Sequence, residues 1–434
     1  MEYRSTARNS RHVSLYEAVT VGLAQDGGIY MPLSVPRIPD AFFNNIHDLN
    51  LHEVAYVVAD TLLGRDIDSA TLKAVVTEAL NFDIPLRKVA PGRYVLELFH
   101  GPTMSFKDIG SRFMAGLIGL SVPRHGDGRI NILVATTGDT GGAVASAFHN
   151  LPGIDVTVLY SSRRMTQVQQ AMFTTLGGNI HPVAVNGDFD DCHAMVRGVL
   201  ADSDLTRRLH IISANSVNVA RLLPQAIYYF HAYACLPVEE RRSGGVVVGV
   251  PCGNLGNLTA AVIARRMGLP IKRIVAATNA NDAFIRFLDS GTMTPRRAVS
   301  TIANAMDVGS PGNLPRLIDL YDGDIAALRH DISGKSYDDG SIADIMRRVY
   351  SSTGYLLDPH SATAYGVVSD LCSPDETAIS LATSHPVKLR DTVARVTGVQ
   401  LALPGQLAEA LKEPRRPQRI PPTVDALVDF MSRL

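Results

Sequence analysis

Five short apolar runs, each followed by a helix-like pattern, constrain the fold of this chain most strongly. They are rich in β-branched residues and lie at 130–135 (INILVA), 156–160 (VTVLY), 246–251 (VVVGVP), 273–278 (RIVAAT) and 379–383 (ISLAT). Apolar strands that alternate with helices are typical of a parallel sheet with both faces covered. The sequence therefore predicts an α/β fold with a buried, mainly parallel sheet.

The first part of the chain has a different pattern. Residues 14–24 predict a helix, with Ser14 as its N-cap, Glu17 three residues later as in a capping box, and Asp26-Gly27-Gly28 to end it. Residues 49–82 are also helical in pattern. We therefore expect the N-terminal region to be mostly helical.

A change of pattern near residue 90 predicts a domain boundary. Pro85 and Pro91 punctuate the chain before the strand-like run Tyr94–Leu98. We expect an N-terminal domain over residues 1–90 and a second domain over residues 91–434.

Prolines also interrupt the C-terminal stretch. Residues 413–422 contain four prolines and the basic residues Arg415, Arg416 and Arg419. This composition predicts a linker with solvated charges, followed by a last helix over Thr423–Ser432.

Charge and cysteine usage disfavour several classes of protein. The 434 residues carry 41 Lys plus Arg and 42 Asp plus Glu, a formal net charge of −1, so the chain lacks the excess positive charge that holds nucleic acid or an anionic membrane. Its four cysteines form no C-x-x-C pair and predict neither a metal site nor a disulfide framework. No apolar run has the length of a membrane span and no export signal is recognisable. We expect a cytoplasmic protein with no nucleic-acid or membrane partner.

Two strand-to-helix junctions are rich in glycine and polar residues. One is Thr136–Gly142, after the run at 130–135, and the other is Cys252–Asn257, after the run at 246–251. A helix N-terminus presents unpaired N–H groups, and glycine lets an anion approach them closely. Neither loop has the G-x-G-x-x-G fingerprint of dinucleotide-binding proteins. From the residues alone, these two loops could either bind an anion or serve only as tight turns, and both interpretations stay open.

The segment His100–Asp108 places Lys107 between a turn and a helix, in an apolar Met-Ser-Phe setting. Such a setting lowers the pKa of an amine and makes it nucleophilic toward an aldehyde. Together with the two anion-cradling loops, this lysine has the properties that a phosphorylated aldehyde cofactor requires.

Five motifs, in this order, resemble the threonine synthase family in its long form. They are Gly101–Thr103 with Phe106–Asp108, then 137–141 (TGDTG), 213–216 (SANS), 253–257 (GNLGN) and 383–388 (TSHPVK). The opening, with YRST at 3–6 and DGGIY at 26–30, is similar to the N-terminal domain of that family. The resemblance covers nearly the whole chain.

This resemblance implies the type II pyridoxal-phosphate fold, like that of the tryptophan synthase β subunit, with mainly parallel sheets, flanking helices and a mostly helical N-terminal domain. It also implies that residues 91–434 form the catalytic domain, with a mobile subdomain over roughly 110–225 inside it. The implied cofactor is pyridoxal 5'-phosphate.

The resemblance also implies the roles of individual residues. Lys107 is the implied catalytic residue, which carries the cofactor as a Schiff base. The other implied cofactor contacts are Phe106, Asp139, Gly253, Asn254, Leu255, Gly256, Asn257 and Thr383, with the 253–257 loop at the phosphate and Thr383 at the pyridine nitrogen. The implied substrate contacts are Thr137, Gly138 and Thr140 at the carboxylate, and Ser213, Asn215, Ser216, Asn218, Arg221 and Lys388 at the phosphate. For Arg221, a structural ion pair is the alternative.

The activity implied is conversion of O-phospho-L-homoserine and water to L-threonine and phosphate. A phospho-lyase related to threonine synthase, which yields a 2-oxo acid, ammonia and phosphate, is the alternative, because it would use the same residues. A third hypothesis is a non-enzymatic module that binds small anions and does not need Lys107. For the enzyme we expect a small-molecule substrate, no metal, and a monomer or homodimer.

Overall fold

The computed structural model describes residues 1–120, 129–161, 165–241, 244–414 and 417–434. Within these ranges the strands, in chain order, are β1 (Glu2–Ser5), β2 (Val13–Ser14), β3 (Tyr30–Pro32), β4 (Leu86–Ala90), β5 (Arg93–Glu97), β6 (Ile130–Thr136), β7 (Ile154–Tyr160), β8 (Ile180–Val185), β9 (Ile211–Ser213), β10 (Val246–Pro251), β11 (Ile271–Thr278), β12 (Ile332–Ser336), β13 (Ala378–Ala382) and β14 (Gln418–Ile420).

The helices of the same ranges, in chain order, are α1 (Leu15–Val21), α2 (Asp40–Asn45), α3 (Leu51–Leu63), α4 (Ser69–Ala79), α5 (Lys107–Gly119), α6 (Asp139–Phe148), α7 (Gln167–Thr174), α8 (Phe189–Ala201), α9 (Ser203–Arg208), α10 (Val219–Leu222), α11 (Ile227–Ala234), α12 (Val238–Arg241), α13 (Gly256–Arg266), α14 (Ala283–Ser290), α15 (Leu314–Leu320), α16 (Ile325–Asp331), α17 (Asp339–Thr353), α18 (Pro359–Leu371), α19 (Arg390–Thr397), α20 (Gly405–Ala410) and α21 (Val424–Met431). Short 3-10 turns lie at Ile46–Asp48, Leu223–Ala226, Asn304–Met306 and Pro386–Leu389. No helix among the described residues is both long and apolar enough to span a bilayer.

The chain forms two compact units, each assembled from separate stretches of sequence. Unit 1 comprises Met1–Leu33, Lys107–Arg221 and Ala402–Leu434, and unit 2 comprises Ser34–Phe106 and Leu222–Leu401. The domain boundary near residue 90, and the mobile subdomain over 110–225, stay predictions.

Unit 2 is built on a six-stranded sheet in the order β12-β11-β10-β13-β5-β4. All neighbouring strands are parallel except the edge pair β4 and β5. Val95, Val247 and Val275 of the sheet pack in one core with Ile345 of α17 and Val368 of α18. Because β5, β10 and β13 run in the same direction, the segments that follow them leave the same edge of the sheet. The sequence motifs at 101–106, 253–257 and 383–388 follow these three strands.

Unit 1 contains a five-stranded parallel sheet in the order β14-β8-β7-β6-β9 and a small antiparallel sheet in the order β2-β1-β3. Its core includes Leu133 of β6, Val183 of β8 and Cys192 of α8. Leu133 of β6 pairs with Ser213 of β9, so the segments after these two parallel strands leave one edge of the sheet. They carry the motifs at 137–141 and 213–216.

The predicted α/β fold is confirmed, and all five apolar runs form parallel strands. The helix predicted over 14–24 is α1; Ser14 caps it by accepting the Glu17 N–H, but it ends at Val21, because Gly22 has a φ of 73°. The helical pattern of 49–82 is divided between α3 and α4. Asp68 begins the second helix by accepting the Thr71 N–H.

The linker predicted over 413–422 is wrong for Gln418–Ile420, which form β14 along the edge of the unit 1 sheet. Arg419 pairs with Ala184 of β8, and Ile420 is buried. Arg415 and Arg416 lie outside the described residues. The last helix is confirmed as α21, capped by Thr423.

Candidate active site

The segment before Lys107 is held by the chain that follows β13. The Phe106 N–H donates to the Thr383 carbonyl oxygen at 3.0 Å, and the His385 N–H donates to the Met104 carbonyl oxygen at 3.1 Å. Lys107, the next residue after Phe106, begins α5. The main chain of Thr383 is therefore bonded to the residue that precedes the predicted catalytic lysine.

A sharp turn and a buried cation shape this segment. The Met104 N–H donates to the Gly101 carbonyl oxygen at 3.0 Å, and Met104 has a φ of 54°, in the left-handed region that non-glycine residues rarely adopt. The Lys388 side chain is buried, and its Nζ donates to the carbonyl oxygen of Thr103 at 2.9 Å. The Lys388 ammonium thus stabilises the main chain of the turn that leads to Lys107.

The loop Gly253–Asn257 joins β10 to α13 and presents main-chain donors. Leu255 caps α13 with a φ of 62° and a ψ of 8°. The N–H groups of Gly253 and of residues 255–257 donate to no acceptor among the described residues. Several unpaired N–H groups at the start of a helix form an electropositive cradle for a phosphate.

Oxygen atoms of this loop, in contrast, are held by the protein. The Asn254 carbonyl oxygen accepts from Asn313 Nδ2 at 2.8 Å, and Asn254 Oδ1 accepts from the Gly312 N–H. The Asn257 carbonyl oxygen accepts from the Tyr229 hydroxyl at 2.8 Å. With these acceptors occupied and the N–H groups available, the loop fits the phosphate of the cofactor that the sequence predicts.

A buried arginine supports this loop from further away. Arg316 donates from one guanidinium nitrogen to Asn313 Oδ1 at 2.7 Å. Both side chains are fully buried, with 0% exposure. Burial lowers the pKa of Arg316 to about 9, which still leaves the guanidinium charged at neutral pH.

The glycine-rich loop of unit 1 bonds to itself. Thr136 Oγ1 accepts from the Gly138 N–H at 2.9 Å and from the Gly141 N–H at 2.8 Å. Gly138 has a φ of 135°, and Gly141 is enclosed, since a Cβ there would lie 2.6 Å from Thr136 Cγ2 and 2.9 Å from Val158 Cγ1. These contacts give the loop one fixed conformation.

Four predicted contact residues lie on this unit 1 loop, namely Thr137, Gly138, Asp139 and Thr140. Asp139 is the first residue of α6 and is buried, and its Oδ1 accepts from Gln169 Nε2 at 3.4 Å. Thr137 and Thr140 are half-buried. Half-buried hydroxyls next to helix N–H groups can donate to a carboxylate.

The segment that follows β9 is rich in buried polar side chains. Asn215 forms a two-way bond with Ala135 of β6, accepting its N–H at 3.2 Å and donating to its carbonyl oxygen at 2.8 Å. Asn218 donates to the carbonyl oxygens of Val19 at 2.8 Å and Ser213 at 3.1 Å. Both amides therefore shape the main chain of this segment.

Arg221 lies at the end of the same segment with its guanidinium buried. It donates to the Ala214 carbonyl oxygen at 2.7 Å. Burial lowers the pKa of Arg221 to about 10, although the negative charge of Asp108 acts in the opposite direction. Ser213 is buried and its Oγ accepts the Asn215 N–H at 3.4 Å, whereas Ser216 is half-buried.

Each unit thus gathers part of the predicted set. In unit 2, Phe106 lies on one segment, Thr383 and Lys388 lie on another, and the two segments are hydrogen-bonded to each other. The 253–257 loop follows β10, which is the neighbour of β13 in the sheet. In unit 1, the 137–141 loop and the 213–221 segment follow neighbouring strands.

Sequence reasoning missed the residues that hold these loops. They are Thr136, Gln169, Tyr229, Asn313 and Arg316. The one available signal was Arg316 itself, the single charged residue of the run Leu314–Ile318 in an otherwise apolar helix start. Charged residues are rarely buried without a specific partner.

Comparisons with known proteins agree with this geometry. A family model described as pyridoxal-phosphate dependent enzyme matches residues 88–423, and one described as threonine synthase N terminus matches residues 2–80. The chain is 45% identical over 395 residues to threonine synthase of Haemophilus influenzae, covering 91% of each chain. It is 39% identical over 423 residues to threonine synthase of Escherichia coli, covering 98% of this chain and 97% of the other.

Solved structures show the same relationship. The crystal structure of Escherichia coli threonine synthase superimposes with a TM-score of 0.94 at 38% identity over the whole of both chains. Threonine synthase of Brucella melitensis with bound pyridoxal phosphate gives a TM-score of 0.91 at 32% identity, covering 100% of this chain and 99% of the other. The fold, the cofactor class and the resemblance predicted from sequence are confirmed. The chain belongs to the threonine synthase family of pyridoxal-phosphate-dependent enzymes.

Proposed function

We propose that the chain is a threonine synthase, which converts O-phospho-L-homoserine and water to L-threonine and phosphate. The observation that carries the proposal is the likeness to threonine synthases over nearly the full length, at 45% and 39% identity. In the net reaction the C–O bond at Cγ breaks and phosphate leaves. Water supplies the hydroxyl at Cβ, and Cβ loses one proton while Cγ gains one.

We assign cofactor binding to residues whose surroundings suit it. Lys107 is the residue that holds pyridoxal phosphate covalently, and the N–H groups of the 253–257 loop bind its phosphate. The Thr383 hydroxyl is the group that bonds the ring nitrogen, with Phe106 and Asp139 as further contacts. When bound, the cofactor withdraws electrons from the substrate carbon that loses a proton.

Lys107 is also the residue that moves protons. We assign to its Nζ the removal of the proton at the substrate Cα and the proton transfers at Cβ. The turn before Lys107 is held by Lys388 and by the main chain of Thr383, which fixes the start of α5. An amine held by such a framework loses little entropy when it acts as a base.

Substrate binding is assigned to side chains of matching charge. Thr137 and Thr140 are candidates for the carboxylate, because they combine hydroxyls with N–H groups at the start of α6. The Gly138 N–H is already donated to Thr136 Oγ1, so we assign Gly138 to shaping this loop. Ser213, Ser216, Arg221 and Lys388 are candidates for the substrate phosphate, since a dianion is bound best by cations and hydroxyl donors. The amides of Asn215 and Asn218 are committed to the main chain, so we assign them to positioning this segment.

Product analysis tests the proposed reaction. The purified protein is incubated with O-phosphohomoserine, and threonine, 2-oxo acid and inorganic phosphate are followed together. We expect threonine and phosphate in equal amounts and no 2-oxo acid. Equal amounts of 2-oxo acid and phosphate would identify the phospho-lyase instead, and absence of all products would leave the anion-binding module.

Peptide mapping tests the role of Lys107. Borohydride reduction of the loaded protein should fix the cofactor on Lys107 alone. Lys107→Ala should abolish turnover, whereas the matched variant Lys335→Ala, at a lysine paired with Asp370, should retain it. A label on another lysine would contradict the assignment.

Three finer statements complete the proposal. We assign the protein to the cytoplasm, because it resembles the threonine synthase of Escherichia coli, a biosynthetic enzyme by name, and because its cysteine usage suits a reducing compartment. We also propose a monomer or homodimer, and a domain boundary near residue 90, where the matched range 2–80 has ended and the matched range 88–423 has just begun. Light scattering of the purified protein would test the oligomeric state, and limited proteolysis would test the domain boundary.

A further inference from the structure

A chain of hydrogen bonds runs from a buried cation to the 253–257 loop. Arg316 donates to Asn313 Oδ1 at 2.7 Å, and Asn313 Nδ2 donates to the carbonyl oxygen of Asn254 at 2.8 Å. Arg316 and Asn313 are both 0% exposed, so water does not compete for these bonds. The chain ends on the peptide group that links Asn254 to Leu255.

That peptide group connects the side of the loop that faces Asn313 to the opposite side. In a trans peptide the C=O and N–H bonds point in opposite directions, so a carbonyl held toward Asn313 turns the Leu255 N–H away from it. Leu255 has a φ of 62°, a left-handed conformation that fixes this orientation at the start of α13. The Leu255 N–H has no acceptor among the described residues.

Hydrogen bonds in series polarise one another, and the effect is strongest in a buried, low-dielectric setting. A guanidinium at one end of the series draws electron density along the Asn313 amide and the 254–255 peptide. The N–H at the far end then becomes a better donor, and an anion bound there gains most.

We propose that Arg316 is a positioning residue which, through Asn313, orients and polarises the Leu255 N–H for the cofactor phosphate. This inference rests on the proposed function of the 253–257 loop. It gives a function to the full positive charge that is buried in α15, where an apolar residue would cost less to bury. It also predicts that Arg316 acts on the phosphate group and not on the rest of the cofactor.

The loop has a second attachment that allows a clean test. The Gly312 N–H donates to Asn254 Oδ1, so the loop stays tethered when Asn313 is changed. Asn313→Asp keeps a partner for Arg316 and still suits the start of a helix. A carboxylate cannot donate to the Asn254 carbonyl oxygen, so this variant interrupts the series without removing the cation.

The experiment compares the affinities of the apoprotein for pyridoxal 5'-phosphate and for pyridoxal, measured by absorbance titration. Arg316→Met and Asn313→Asp should each lower the affinity for pyridoxal 5'-phosphate about tenfold, the loss of one bond to a charged group, and change that for pyridoxal less than about twofold. Arg316→Lys should recover part of the loss. The matched control is Arg265→Met, which removes an arginine of α13 that pairs with Asp331 and should leave the ratio of the two affinities unchanged.

The outcomes separate the inference from the proposed function. If the unmodified protein binds pyridoxal as tightly as pyridoxal 5'-phosphate, the loop does not bind the phosphate and the assignment of the loop fails. If the unmodified protein prefers the phosphorylated form and both variants keep that preference, the loop assignment stands and the role of Arg316 is overturned. Should Arg316→Met fail to fold, Asn313→Asp decides alone.

Discussion

In the Thr136–Gly142 loop of unit 1 the N–H groups of Gly138 and Gly141 turn inward, whereas in the Gly253–Asn257 loop of unit 2 the main-chain donors are left available. Thr136 Oγ1 takes two N–H groups of the first loop. In the second, Tyr229 and Asn313 bind main-chain oxygen atoms instead. Both loops join a parallel strand to a helix and both are rich in glycine, yet only the second is arranged throughout as a phosphate cradle.

The comparison shows that glycine serves two purposes in these loops. Gly141 is required by packing, because a Cβ would collide with Thr136 and Val158. Gly256 begins α13, where the absence of a side chain lets a ligand reach the N–H groups. We therefore expect the first kind of glycine to contribute to folding and the second to binding.

The largest expected effect concerns the binding glycine. Gly256→Val should lower the affinity for pyridoxal 5'-phosphate about 100-fold, because two bonds to a charged group, worth about 3 kcal/mol together, are lost. Because Gly256 is buried, overpacking should also lower the free energy of unfolding of the apoprotein, but by less than the loss of binding free energy. Absorbance titration and urea unfolding of the same samples measure the two effects.

Gly141→Ala is the control for that variant. It should lower the free energy of unfolding by about 1–3 kcal/mol through overpacking, and the folded fraction should bind the cofactor normally. Equal losses of affinity and stability in both variants would remove the distinction between the two loops.

A smaller effect is expected from the internal acceptor of the first loop. Thr136→Val leaves the buried N–H groups of Gly138 and Gly141 without their acceptor and should lower the free energy of unfolding by about 2 kcal/mol. Thr259→Val is the matched change near the second loop. In that variant the Leu255 carbonyl oxygen keeps its bond from the Thr259 N–H at 2.9 Å. The loss of free energy of unfolding, measured in urea, should therefore be smaller for Thr259→Val than for Thr136→Val. A larger loss for Thr259→Val would contradict the comparison.

The second loop also rests on a segment with an acidic group. A Cβ on Gly253 would lie 3.0 Å from Met306 Cα, and the next residue, Asp307, accepts bonds from Asn279 and Thr301 at 2.8 Å each. Burial raises the pKa of Asp307 to about 6, despite these bonds and the nearby His360.

Stability should therefore depend on pH through Asp307. The folded protein binds the proton of the Asp307 carboxyl more tightly than the unfolded chain does. The contribution of Asp307 to the free energy of unfolding therefore increases as pH falls through 6. Relative to Asp307→Asn, the unmodified protein should gain about 1 kcal/mol between pH 7.5 and 5. Asp331→Asn is the control. Burial raises the pKa of Asp331, but its hydrogen bonds outweigh this and lower it to about 2. The difference in free energy of unfolding between the unmodified protein and Asp331→Asn should therefore stay constant from pH 7.5 to 5. If the difference between the unmodified protein and Asp307→Asn is also constant over this pH range, the pKa of Asp307 is not raised.

The smallest effect is expected at the start of the second loop. Cys252 is buried and its Sγ donates to the Val250 carbonyl oxygen at 3.2 Å. Cys252→Ala removes one atom and a weak bond, so it should cost less than about 1 kcal/mol in thermal unfolding and leave cofactor affinity intact. A large loss of affinity would mean that Cys252 takes part in binding.

The sequence predicted the parts of this molecule that local patterns determine. The five apolar runs became strands, the Ser14 cap lies where the pattern places it, and the last helix lies within the predicted range Thr423–Ser432. β14 was missed because Gln418–Ile420 is too short to show the alternation of apolar and polar residues that predicts a strand. It becomes a strand only by pairing with β8.

The site was predicted by residue type but not by orientation. Nothing in the sequence distinguishes a loop whose N–H groups turn inward from one whose groups are available, since the deciding partners, Thr136 and Asn313, are set by tertiary contacts. Arg316 lies 62 residues from Asn254 in the sequence, and only the fold brings their hydrogen-bond series together.

The composition of unit 1 from three stretches of chain has a consequence for biosynthesis. Its first stretch packs α1 against β9, and its last adds β14 to the sheet edge and places Leu427 and Phe430 of α21 in the core. A ribosome releases that last stretch only after all of unit 2 has emerged. Unit 1 must therefore wait, incomplete, with the β8 edge and part of its apolar core uncovered, and it is during this interval that a nascent chain of this family would depend on chaperones.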